Sequence, residues 1–424
     1  MNKTLNIVEA NTLLNNRNKC EKDFPLFHTL REIEESIKKN GDAALLEYTQ
    51  KFDGIFLQNL FATQEEIQNA TIEPELENAI KVAYNNIKKF HEEQFKSLQN
   101  QPIVETMQGV KCWRKFTPIE KVGLYVPAGT APLFSTVLMT ALPAQIAQCR
   151  EIILATPPQK DGTIHPAILF TARLCGVKQI LKVGGAQAIF AMAYGTQSVP
   201  KVYKIFGPGN KFVDGAKQMV QNTVAIDMPA GPSEVMVVCD NASNPQAVAS
   251  DVLSQLEHDA TASAILVCNS QKHIDAVNNC ILARIQIAPR RQIIQKSLQN
   301  YHALLVENIA DAVPFINEYA PEHLIINTQN YNELAEKIIN AGSVFLGKYA
   351  AETIGDYASG TNHTLPTNGF AKAFSGLSVE SFGKFVTFQE VDAAGFKNIA
   401  GVVSTMAKTE GLFEHANAVE VRNI

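Results

Sequence analysis

EIILATPPQKDGTIHPAILFTARLCGVKQILKVG, residues 151–184, decides the fold. EIILAT (151–156) and KQILKVG (178–184) are short apolar runs of strand length, and HPAILFTARLCG (165–176) between them is long enough for a helix. The Gly that ends this helix stands where a C-cap would. Two strands joined by a crossover helix run parallel, so the stretch reads as one βαβ unit. The same alternation continues on both sides. VGLYV (122–126) precedes it, and AQAIFAMAYG (186–195), VYKIFG (202–207) and NKFVDGAKQMVQ (210–221) follow it. A second set begins at VMVVC (235–239), passes through an Asn244-Pro245 helix start, and continues with SAILVC (263–268), ALLV (303–306), HLIIN (323–327) and SVFLG (343–347).

Outside these sets the period is helical. GDAALLEYTQKF (41–52) and ELENAIKVAYNNIKKFHEEQF (75–95) space their apolar residues three and four apart, and DAAGFKNIAGVVSTMAK (392–408) and EGLFEHANAVEVR (410–422) do so again at the far end. The expected architecture is α/β, with two Rossmann-like parallel-sheet domains and helical N-terminal and C-terminal extensions. The expected division is an extension over 1–22, a discontinuous domain of 23–120 with 235–375, a second domain of 121–234, and an extension over 376–424.

The chain of 424 residues is 46% hydrophobic, enough for a large core, and its formal charge of -5 is spread without a basic stripe. A nucleic-acid partner is disfavoured. No run approaches the roughly 20 apolar residues of a membrane span, and the N-terminus has no signal-peptide pattern. Seven cysteines (20, 112, 149, 175, 239, 268, 280) contain no C-x-x-C pair. Reduced thiols in a cytoplasmic protein fit that usage.

Several polar groups are candidates for chemistry. Gln255 and His258 in QLEHD lie three apart, so on a helix they face one way and can share a ligand, although an exposed polar helix end has the same pattern. Asp356 in ETIGDYASG reads as a carboxylate in a Gly-flanked loop, where it can reach a cation or simply cap a turn. Glu322 and His323 follow Pro321 at a strand entrance. A His near neutral pKa serves as a general base and a neighbouring Glu can activate water, while an ordinary polar turn explains the pair equally well. The loops PAGTAP (127–132), GGAQA (184–188) and GPGN (207–210) suit close approach to a phosphate, or are plain β-to-α turns; none is the G-x-G-x-x-G fingerprint. Ser233 in PAGPSE (229–234) can donate to a ligand or cap its turn. Cys112 and Cys149, the candidate thiol nucleophiles, lack a local His or helix start to lower their pKa, and read as packing residues.

In this order the motifs closely resemble the histidinol dehydrogenase family. The likeness runs through GDAAL…KFDG (41–54), GLYVPAGTAPLFSTVLM (123–139), VGGAQAIFAMAYGT (183–196), KIFGPGN (204–210), DMPAGPSE (227–234), QLEHD (255–259), APEHL (320–324), GDYASGTNHTLPT (355–367) and EGLFEHANAV (410–419). Ala128 stands where the family often has a second Gly. The resemblance implies one zinc per subunit on Gln255, His258, Asp356 and His415, residues that also meet the substrate. It implies further substrate contacts from Ser233, His323, His363 and Glu410, and NAD contacts from Tyr125, Gln187 and Asn210. It implies a homodimer whose C-terminal tail enters the neighbour's site. The implied reaction takes L-histidinol through L-histidinal to L-histidine with two NAD, with His323 and Glu322 catalytic. A zinc hydrolase and a non-catalytic nucleotide-binding module are the rival readings.

Overall fold

The computed structural model describes residues 4–17, 24–128, 131–229 and 231–422. Cys20, Gly129 and Thr130 of the PAGTAP loop, and Ala230 of PAGPSE lie outside the described residues. Two five-stranded parallel sheets form the centre. The first runs in the order Gln179–Leu181, Glu151–Ala155, Lys121–Tyr125, Lys204–Phe206, Ala225–Ile226. The second runs Tyr301–Leu305, Ser263–Cys268, Glu234–Cys239, His323–Asn327, Ser343–Leu346. Each begins at its central strand, grows outward to one side, then returns to grow on the other. Each therefore has a switch point, the place beside the central strand where open α/β sheets bind ligands. The two βαβ sets expected from the sequence are these two sheets.

A third sheet is antiparallel and was not read from the sequence. Val104–Met107, Val110–Pro118 and Gly383–Val391 form it, with Phe385 opposite Phe116 and Trp113 opposite Phe388. Its long strand leads into helix Ala393–Thr409, which packs on helix Phe413–Glu420. The stretch 376–424 is thus not wholly helical. Side chains along Gly383–Val391 are largely exposed, so no buried stripe announces the strand.

The early helices also pack differently from the expected grouping. Leu30, Ile33, Ile37, Ala44 and Leu45 share a core with Leu181, Ile189 and Ile205, while Ile67, Ala83 and Ile87 share one with Val122, Leu138 and Leu154. Residues 24–99 therefore lie against the 121–226 sheet rather than the 234–346 sheet. An apolar helix face declares that it will be buried, not what will bury it. Asp42 fixes one such helix by accepting from the Thr196 and Ser198 hydroxyls beyond helix Gly185–Tyr194.

At the carboxyl end of the first sheet, Gly207 has φ +118, and a Cβ there would meet the Tyr125 carbonyl oxygen at 2.1 Å. Only glycine allows so close a passage. A buried ion pair holds this turn from below: Lys217 Nζ donates to the Gly207 carbonyl (2.9 Å) and lies 2.5 Å from Asp227 Oδ1, while Asp227 Oδ2 accepts the Gly207 N–H (2.8 Å). From Asp227 the chain reaches Glu234, the first residue of the central strand of the second sheet. Seven residues extend at most about 25 Å. The carboxyl end of one sheet and the amino end of the other are thereby kept close. A loop stitches them again, with Asn362 Nδ2 donating to the Met139 carbonyl (2.6 Å) and Thr367 Oγ1 accepting from the Gly231 N–H.

Candidate active site

Helix Pro245–Leu256 starts as the sequence predicts, its Asn244 side chain accepting from Gln246 N and Pro245 filling the first turn. It ends by burying Gln255 completely. Among the described residues, neither amide atom of Gln255 has a hydrogen-bond partner. An amide left so costs about 1–3 kcal/mol, which calls for a ligand. His258 follows in the exposed turn.

Strand His323–Asn327 is entered through Ala320, whose left-handed backbone (φ 50) closes helix Val313–Tyr319. Glu322 and His323 are both buried there. Helix Glu352–Tyr357 brings two carboxylates one turn apart onto His323. His323 Nδ1 lies 3.6 Å from Glu352 Oε1 and 3.8 Å from Glu322 Oε2, and its Nε2 lies 3.6 Å from Asp356 Oδ1. Asp356 is therefore a helix residue, not the loop residue expected, because the short segment between Ala351 and Ala358 closes one helical turn and a half. Ligand atoms of His258, Glu352 and Asp356 all fall within 4.8 Å of one another.

Burial pushes the Glu322 and Glu352 carboxyls up to about 8, although the His323 charge pulls both down. For His323, burial opposes the charged form, yet Glu352, Glu322 and Asp356 outweigh it and raise the imidazole well above its ordinary value. Burial would likewise raise Asp356, but its bond and charge contacts with His323, helped by His363 and His258, hold it below the usual range. Although its surface reaches solvent, the His258 ring is surrounded closely enough for desolvation to lower it, against the pull of Asp356. The centre sets the His323 imidazole among buried carboxyls, with His258 and His363 beside Asp356, and among the described residues the Gln255 amide and Glu352 Oε2 have no hydrogen-bond partner. That donor set fits a divalent cation taking mixed N/O ligands.

The remaining candidates divide in two. His363 Nδ1 faces the Asp356 carbonyl (2.8 Å), leaving Nε2 to meet a ligand, and half-buried Ser233 directly precedes Glu234 at the same strand entrance. Glu410 and His415 are exposed on the C-terminal helices, and His415 is not in the metal-competent group. At the switch point of the first sheet, buried Tyr125 accepts the Gly185 N–H (2.9 Å), and burial pushes its phenol up to about 12. Gln187 is buried in the first turn of the helix that begins at Gly185. Asn210 Oδ1 caps helix Lys211–Met219 through Phe212 N and Val213 N. All three lie at the carboxyl ends of strands of the first sheet: Tyr125 closes the central strand, Asn210 ends the loop after its neighbour, and Gln187 lies in the helix after the edge strand.

Neither thiol is set up to attack: burial lifts Cys149 to about 12, and Cys112 belongs to the antiparallel sheet. The sequence reading missed Glu352, whose signal was its spacing of four from Asp356. It also missed Glu234, which nothing local singles out.

Fold and site together define an α/β protein of two parallel sheets with a buried acid/base centre that can take a metal. The family model for histidinol dehydrogenase matches residues 16–423. The histidinol dehydrogenase of Bacteroides thetaiotaomicron is 55% identical over 401 residues, covering 94% of this chain and 93% of its own. That of Haemophilus influenzae is 50% identical, covering 92% of this chain and 90% of its own. The crystal structure of histidinol dehydrogenase from Elizabethkingia anophelis superposes with a TM-score of 0.94 at 45% identity, covering 99% of this chain and 96% of that one. The chain belongs to the histidinol dehydrogenase family.

Two outcomes are expected of the site. Gln255→Leu removes a buried, unpartnered amide, so it should stabilise metal-free protein by about 1–2 kcal/mol in urea unfolding while lowering bound metal; destabilisation would mean the amide is already satisfied. Glu322 has its folded pKa raised from 4.5 to about 8. Its contribution is thus complete below pH 4.5 and is lost as pH rises through about 8. Metal-free Glu322→Gln, neutral throughout, should gain on the parent by a few kcal/mol between pH 5 and pH 9, and a constant difference would refute the burial argument.

Proposed function

We propose that this chain oxidises L-histidinol through L-histidinal to L-histidine, consuming two NAD and using one zinc per subunit. The observation that carries the reading is the buried His323 with Glu322 beside it and Glu352 and Asp356 across from it, at the entrance of a strand.

Gln255, His258 and Asp356 would hold zinc, with His415 supplied by a second chain. Zinc, when bound, anchors the nitrogen donors of the substrate, so its contribution is orientation. Tyr125, Gln187 and Asn210 would hold NAD, which would supply the acceptor for the hydride leaving the carbinol carbon. His323, in its neutral form, would take the alcohol proton. Glu322 then takes a proton from water as that water adds to the aldehyde carbon. Protonated His323 returns its proton to the former carbonyl oxygen, completing the diol, and the neutral ring then accepts a hydroxyl proton as the diol gives up the second hydride. Ser233, His363 and Glu410 hold the substrate's polar groups. No step needs a thiol, in keeping with the raised pKa of Cys149.

A homodimer accounts for Glu410 and His415. Both are exposed, and so are Val402, Met406, Leu412 and Phe413 of the same extension. Such an apolar set fits a surface covered by a second copy. Among the described residues no helix is long and apolar enough to cross a membrane.

Purified, zinc-loaded protein given L-histidinol and NAD should form two NADH per substrate; no NADH, with zinc present, overturns the reading. Glu322→Gln should slow the aldehyde step more than the first hydride transfer in single-turnover absorbance traces, and equal losses would remove its assigned role. Mixing His415→Ala with His323→Ala protein should restore partial activity, because one of the two sites in a mixed dimer is then intact. No recovery after confirmed subunit exchange would place each site within one chain.

A further inference from the structure

Glu234 ends the PAGPSE turn, and three elements that build the centre send donors to it. Its Oε1 accepts the backbone N–H of Glu322 (3.3 Å) and of Asn368 (3.1 Å), and its Oε2 accepts the Tyr319 hydroxyl (3.4 Å). In return, Glu322 Oε2 accepts the backbone N–H of Glu234 (2.9 Å), and the Glu234 carbonyl lies 3.3 Å from His323 Nδ1. Register explains the exchange, since His323 pairs with Val235 and so puts Glu322 beside Glu234 at the first step of two neighbouring parallel strands. The carboxylate is buried, 4% exposed. Asn368 is itself held in a left-handed backbone conformation (φ 53), five residues after His363.

We propose that Glu234 is a positioning residue: its carboxylate fixes the strand entrance that carries Glu322 and His323, together with the loop descending from His363, in one arrangement. The proposal rests on the reading of Glu322 and His323 as the acid/base pair. Two backbone N–H groups converge on one carboxylate oxygen, and no apolar side chain can receive them. A glutamine can. With its oxygen toward both N–H groups, its amide hydrogens face the Tyr319 hydroxyl, which can turn to accept. Glu234 touches no reacting atom in this scheme, so its loss should appear in turnover rather than in binding.

The test compares Glu234→Ala, Glu234→Gln and Tyr319→Phe as zinc-loaded enzymes with L-histidinol and NAD, alongside amide hydrogen exchange. For Glu234→Ala, kcat should fall on the order of 100-fold per folded enzyme, as misplacement by about 1 Å does, with KM changed by less than about three-fold. Glu234→Gln should recover to within about ten-fold of the parent, since it keeps the acceptor. Exchange at residues 320–324 and 367–369 should quicken in Glu234→Ala and stay near the parent's in Glu234→Gln. Parental kcat in folded Glu234→Ala, or unchanged exchange in both segments, overturns the proposal. Should Glu234→Ala not fold, Tyr319→Phe, which removes one of the donors to Glu234, decides it: lowered kcat at unchanged KM supports the proposal, and parental kcat with parental exchange at residues 320–324 overturns it. If the parent enzyme forms no NADH, the reaction assigned above fails, and the exchange comparison still decides the positioning role.

Discussion

Buried carboxylates repel one another and resist losing water, and the second sheet gathers several of them at the amino ends of two adjacent strands. The arrangement persists because each acid has a specific partner. Glu234 and Glu322 exchange bonds with each other's backbone, and Asp356 and Glu352 face the two nitrogens of His323. Burial still holds the Glu322 and Glu352 carboxyls well above the usual carboxylate range. What surrounds this point serves to hold it: a left-handed Ala320 that turns the chain into the strand, a helical turn that delivers Glu352 with Asp356, and a loop tied to both sheets.

The two parallel sheets share one strand order yet take part through opposite ends. The first presents the carboxyl ends of its strands, where Tyr125, Gly207 and the cap of helix Lys211–Met219 lie at the switch point. The second presents its amino ends, and its own carboxyl-side switch point holds none of the candidate residues. Under the proposed function, one topology supplies a nucleotide platform in one copy and a chemical centre in the other. The short path from Asp227 to Glu234 keeps the two jobs adjacent, and the Lys217–Asp227 pair fixes where that path begins.

Both parallel sheets were legible because burial on two faces leaves continuous apolar runs, as in EIILAT and HLIIN. Gln255 and His258 read as an i, i+3 helix pair, but the helix ends at Leu256, so Gln255 lies in its last turn and His258 in the turn beyond. Periodicity could not say that the Gln255 amide would be sealed from water. The assignment of roles came from family resemblance, not from spacing. Glu234 and Glu352 stayed hidden for different reasons: one becomes special only when the 322 strand is laid beside it, the other only when ETIGDY coils. Strand Gly383–Val391 was missed because most of its side chains face outward and its partner is remote in sequence.

That remoteness bears on how the chain is made. Asn398 and Gln108, beside the antiparallel sheet, are 290 residues apart in sequence. During synthesis the strand Val110–Pro118 emerges with one edge unpaired and waits through the whole of both parallel sheets for Gly383–Val391. Non-local pairing of this kind is slow and leaves a sticky edge exposed in the interval. The sheet cannot close before Gly383–Val391 has been made, so the C-terminal helices, with Glu410 and His415 on them, can be set in place only once that strand has emerged.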